Sequence, residues 1–191
     1  MSLVTHDVFN QVPPLADHDL WGWNRPLRDA FAHHRPAHDT ARLAALGAEC
    51  GRSDMLEHAR LANVHPPRLK THDRFGHRID QVEFHPSYHA LMGRALRHGL
   101  HGAPWAKGPG AHVERAAAFM LFTELEPSVL CPVSMSYAVT PALRANAGLT
   151  AAWMPKIVAP DYDPRFVPFE RKSAVTLGMG MTEKQGGSDV R

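Results

Sequence analysis

Cysteine is scarce in this 191-residue chain. Cys50 and Cys131 lie far apart and form no C-x-x-C pair, which argues against a zinc cage and against a disulfide framework. A reducing cytoplasm is the simplest compartment for such a chain. No run of about 18 apolar residues occurs, and the opening MSLVTHDVFNQVPPL lacks a basic stretch followed by an apolar core, so neither membrane insertion nor export is expected. Blocks of like charge are missing as well. Lys and Arg number 21 against 19 Asp and Glu, a balance that makes no case for a nucleic-acid surface on this chain. There is no internal repeat and no G-x-S-x-G elbow for a nucleophilic serine.

What is present is ordinary globular material, with 44% hydrophobic and 21% charged residues, enough for one well-buried core. The sixteen prolines are dispersed and punctuate elements. Residues 1–25 read as irregular, anchored in a groove by Trp21 and Trp23. Helices are expected from Pro26, over HDTARLAALGAEC with Leu43, Leu46 and Cys50 inward, and over SDMLEHARLANV, where Asp54 and Glu57 have capping-box spacing. A turn over Asp73–Gly76 follows, then Ile79, Val82 and Phe84 in a short ribbon or an extended connection.

HPSYHALMGRALRHGL predicts a helix with Tyr88, Leu91, Met92, Ala95 and Leu96 on one face, and HVERAAAFMLFTELE another, ended by Pro127. SVLCPVSMSYAVTPALRANA is apolar nearly all round and reads as a helix at the centre of a bundle, kinked by Pro141. A short helix over TAAWMPKIV, a proline-rich crossing and AVTLGMGM, of strand propensity, complete the pattern. The class expected is mainly α: a helical domain over residues 1–165, then the opening of a β-rich unit over 166–191.

Fourteen histidines invite a metal reading, with His33, His34 and His38, His85 and His89, and His98 and His101 as the close sets. None is joined by a third ligand at metal spacing, and structural or solvated histidine is the better reading. Cys131 reads as a buried small hydrophobe. Glu124 and Glu126 point to different sides of a helix and read as a solvated face. The glycine-rich GMGMTEKQGGSDVR is different. Glu183 stands where G-x-G-x-x-G needs its last glycine, and Gly187-Ser188-Asp189 departs from a Walker A loop. Bare backbone beside Thr182 and Ser188 suits either a ligand contact or an ordinary hairpin turn.

Thr182-Glu183-Lys184-Gln185-Gly186-Gly187-Ser188-Asp189 resembles the T-E-P-x-x-G-S-D signature of the acyl-CoA dehydrogenase superfamily, with Lys184 in place of proline. THDVFNQVPPL, RLANVHPPRL, the link from Asp73 to Pro86 and LCPVSMSYAVTPAL are similar to the AidB-like branch, associated with the bacterial response to DNA alkylation. The resemblance implies an N-terminal piece of a larger protein that ends a few residues into a middle β-domain. It implies FAD as cofactor, with Met181, Thr182, Glu183, Lys184, Gln185, Gly186, Gly187 and Ser188 in contact with it, and it assigns no catalytic residue here, since the family's glutamate base lies further on. By the same resemblance Met135, Ser136 or Thr140 lines an acyl pocket or belongs to the core. The complete protein is expected to be a cytoplasmic tetramer that takes acyl-CoA or a related small molecule, with duplex DNA as a further partner of C-terminal regions. The expected function is FAD-dependent oxidation of acyl-CoA thioesters. The alternatives are a DNA-protecting flavoprotein and a module for oligomerisation only.

Overall fold

A computed structural model describes residues 5–180. Eight α-helices are formed among them: α1 (Leu20–Trp23), α2 (Arg25–His34), α3 (Ala41–Cys50), α4 (Ser53–Val64), α5 (Pro86–Arg97), α6 (Ala111–Leu125), α7 (Leu130–Leu143) and α8 (Ala147–Ile157). One antiparallel hairpin, β1 (Arg68–His72) with β2 (Arg78–Glu83), stands between α4 and α5. The mainly α expectation holds.

The core follows the helical periods read from the sequence. Leu43, Leu46 and Cys50 of α3 meet Leu91, Met92 and Leu96 of α5 and Leu121 and Phe122 of α6 in one continuous cluster. Pro26 sits in the first turn of α2, where its missing amide costs nothing, and the Asn24 side chain accepts from Leu27 N at 3.1 Å. Gly47 of α3 is required by close approach, because a side chain there would strike the backbone and Cβ of Trp21. The hairpin turn has Asp73 Oδ1 accepting from Phe75 N and His77 N, with Gly76 at φ 85°.

Several local expectations are corrected. Trp21 is 6% exposed and anchors the arm, but Trp23 is 68% exposed and lies only beside the His18 ring rather than in a groove. The arm is tied down instead by Asp17, whose amide donates to Gly51 O and whose carboxylate accepts from Ser53 N at the start of α4. That contact replaces the capping box: Asp54 pairs with Arg52 and Glu57 with Arg60. The ribbon partner of Ile79–Val82 is the polar stretch Arg68–His72, whose charged alternation concealed its strand character. Cys131 is exposed, and α7 buries only Leu130, Val133, Ser136 and Thr140, so its apolar character all round does not mean burial all round. Residues 174–180 pair with no strand among the described residues, since a strand requires a neighbour and none of the described residues supplies one.

Candidate functional site

The segment Ala174–Gly180 leads directly into the Thr182 signature, and the structure shows what holds it. Three alternate amides face the helical layer: Val175 N donates to Lys156 O at 3.2 Å, Leu177 N to Ser136 Oγ at 2.9 Å, and Met179 N to Met135 Sδ at 3.3 Å. A period of two is that of an extended chain. The segment is thus strand-like in its bonding, with α7 and α8 in the place of a neighbouring strand. Gly178 and Gly180 lie where an added Cβ would meet nothing within 4 Å, so no protein contact among the described residues requires them. Among the described residues their side of the backbone borders open space.

Each part of the wall behind this segment is fixed by local chemistry. Ser136 is fully buried; its hydroxyl donates to Pro132 O at 2.8 Å and so can present a lone pair to Leu177 N. Thr140, also fully buried, donates to Ser136 O. Pro141 has no amide to give the carbonyl of Tyr137, and the Trp105 indole takes that place at 2.9 Å. The start of α7 is capped by Glu126, which is 2% exposed rather than solvated as its spacing suggested. It accepts from Ser128 N, Val129 N and Asn63 Nδ2 at 2.8–3.0 Å. Burial alone would raise its carboxyl, but the Asn63 amide and the two backbone donors outweigh burial and hold it below the ordinary glutamate value.

The crossing from α8 to the segment is fastened at three points. Lys156 Nζ donates to the carbonyls of Phe169, Glu170 and Lys172 at 2.6–2.9 Å. Trp153 stacks on Phe169 with centroids 4.1 Å apart. Asp163 gathers Arg165 and Ser173 around a buried carboxylate, which the Arg165 guanidinium holds far below its ordinary range. Between this crossing and the root of the hairpin lies a cavity of about 380 Å³ lined by Phe84, Tyr88, His89, Tyr162, Phe166 and Val175.

Two of the histidine sets resolve into structural contacts, while His33 and His34 of the third are exposed. His98 pairs with Glu49, and His89 bonds Tyr162 Oη. His85 accepts from Ser87 N at the start of α5. His101 is fully buried with Nε2 donating to Ala159 O, and burial pushes it down to about 4. No cluster of three metal-ligating side chains occurs among the described residues. Cys50 is buried and its thiol is pushed up to about 12, mainly by burial, so it is no nucleophile. Met135 is partly buried at the segment, whereas Ser136 and Thr140 belong to the core. Met181, Thr182, Glu183, Lys184, Gln185, Gly186, Gly187 and Ser188 lie outside the described residues.

These elements define the N-terminal helical domain of the acyl-CoA dehydrogenase fold. The structure of Bd2924 in its apo form superposes with a TM-score of 0.81 at 27% identity, over 96% of this chain and 36% of that one. Caenorhabditis elegans ACDH-11, solved in complex with C11-CoA, superposes with a TM-score of 0.78 at 23% identity, over 100% and 32%. The chain belongs to the family of the adaptive response protein AidB N-terminal domain, which matches residues 10–164. It is 40% identical to the acyl-CoA dehydrogenase-like protein AidB of Escherichia coli (strain K12) over 189 residues, 97% of this chain and 35% of that protein. The chain therefore spans about a third of the length of these relatives and corresponds to the N-terminal part of an acyl-CoA dehydrogenase-like protein.

Proposed function

We propose that this chain is the first part of an FAD-dependent oxidoreductase acting on acyl-CoA thioesters, and that it contributes the flavin-facing loop Met181–Ser188 and the helical wall behind it. The observation that carries the reading is the fastening of residues 174–180, with alternate amides held by α7 and α8 and with Gly178 and Gly180 bordering open space. Bare backbone held on a fixed course suits the close approach of a flat, polar-edged ring. Under this reading Thr182 and the Met181 backbone meet the pyrimidine edge, and Gly187 and Ser188 meet the pyrophosphate. FAD, when bound, supplies the acceptor for a hydride from the substrate. The chain's share is positional: hydroxyl and amide donors held in advance where negative charge collects, and an apolar wall including Met135 that excludes water.

Family membership and the neighbour solved with C11-CoA support acyl-CoA as the substrate class. The division into a helical part, residues 1–165, and the opening of a middle β-domain, residues 166–191, belongs to the same proposal, as do a tetrameric and cytoplasmic complete protein. No helix among the described residues is long and apolar enough to cross a membrane. Nothing in the charge balance of this part favours a role on DNA.

The test is flavin content and substrate reduction. A full-length protein carrying this domain is expected to purify with bound FAD, whose absorption bleaches when an acyl-CoA is added without oxygen, while the 191-residue chain alone holds none. A full-length protein free of flavin and unable to take it up would overturn the proposal.

A further inference from the structure

Ser136 carries an arrangement that a core hydroxyl does not need. A buried serine in a helix satisfies its hydroxyl by donating back to the carbonyl four residues earlier, and the Ser136 hydroxyl does so to Pro132 O at 2.8 Å. Thr140, one turn on, does the same and stops there. Ser136 goes further: its remaining lone pair accepts from Leu177 N at 2.9 Å, across 41 positions of sequence. Leu177 is the middle of the three amides that face the helices, between Val175 on a backbone carbonyl and Met179 on a thioether. A sulfur is a weak acceptor. Among the described residues the Ser136 bond is therefore the last strong one along this segment.

We propose that Ser136 is a positioning residue for the flavin loop, setting the register with which residues 174–180 lie against α7 and so the course on which the chain enters that loop. The inference rests on the flavin reading above. Its physical basis is the period of two along an extended chain. A slip by one residue exchanges the amides that face the helices for those that face away, and turns every side chain to the other side. Val175 is buried and Thr176 exposed, so a slip would also place a polar side chain where an apolar one sits. The Lys156 carbonyl, in the last turn of α8, fixes one end of the segment through Val175 N, and Ser136 fixes the next of the three amides along. A hydroxyl locked by its own bond to Pro132 O offers a lone pair at a single place.

The experiment uses two readouts in parallel on wild type, Ser136→Ala, Ser136→Thr and Thr140→Val. Amide hydrogen exchange at Leu177 and Met179 reads the register, and the FAD dissociation constant of the full-length protein reads the loop. Ser136→Ala is expected to expose both amides to exchange and to weaken FAD by about tenfold. Ser136→Thr, which keeps the hydroxyl, is expected to restore both. Thr140→Val removes a buried hydroxyl of the same helix and is expected to leave both readouts unchanged, which separates positioning from general loss of stability. Unchanged protection of Leu177 in Ser136→Ala overturns the inference, and so does lost protection with unchanged FAD affinity. A wild-type protein that binds no FAD overturns the function on which the inference rests, whatever the exchange shows.

Discussion

Replacing Glu126 with alanine removes the acceptor that joins three helices, and its cost can be worked from the contacts. The carboxylate is 2% exposed, follows the last residue of α6, and caps α7 through Ser128 N and Val129 N. Losing a helix cap costs about 1 kcal/mol. The third donor, Asn63 Nδ2, comes from α4 at 3.0 Å, and a hydrogen bond to a buried charge contributes about 1.5–3 kcal/mol. Asn63 keeps its bond to Ala59 O, so no side chain is left wholly unpaired. Glu126→Ala is therefore expected to lower stability by about 3 kcal/mol, and Glu126→Gln, which keeps one oxygen, by less. Urea unfolding at neutral pH measures both, with an unchanged m-value as the sign that only stability has moved. The carboxyl is held below its ordinary value of 4.5, so its contribution is complete above that pH and is lost as pH falls through the lower, folded value. The gap between wild type and Glu126→Gln should accordingly shrink under acid conditions. A cost for Glu126→Ala under about 1 kcal/mol, or a gap undiminished at low pH, would refute the reasoning.

Two further predictions concern the same wall. His101 is buried neutral, with its folded value near 4 against an ordinary 6.5, so its contribution is present above 6.5 and declines by about 3 kcal/mol as pH falls toward 4. His101→Asn should remove that part of the pH dependence, read as a smaller drop in the urea midpoint between neutral and mildly acid buffer; an equal drop contradicts the assignment. Trp105→Phe leaves Tyr137 O without its indole donor and should cost about 1 kcal/mol, whereas in a Pro141→Ala background, where an amide at position 141 can serve that carbonyl, the same change should cost less. Strict additivity in that double-mutant cycle would contradict the exchange of donors.

The parts of the fold legible in the sequence were those governed by a single period. Leu43, Leu46 and Cys50, or Leu91, Met92, Ala95 and Leu96, announce their helices because one face is apolar and the spacing repeats. What escaped notice depends on contacts between residues far apart in sequence. Glu126 looks solvated beside Glu124 until Asn63, 63 positions earlier, is brought to it. Asp54 and Glu57 have capping-box spacing, but Arg52 and Arg60 are nearer partners, and Asp17 supplies the contact to Ser53. Cys131 and the outer side of α7 look buried because apolar character implies a partner without saying whether the described residues supply it. Of the candidate site, the signature Thr182–Asp189 was legible as a string, while the fastening of residues 174–180 was not, because Ser136 and Lys156 act as acceptors there through tertiary placement alone.

The central claim is that this chain brings a flavin-facing loop with Thr182 at its working edge. The most direct measurement is a titration of FAD into flavin-stripped full-length protein, following flavin fluorescence, with wild type and Thr182→Ala side by side. Stoichiometric binding by wild type, weakened between about five- and tenfold when the hydroxyl is removed, is the predicted result. Equal affinity in the two proteins, or no binding by wild type, would contradict the claim.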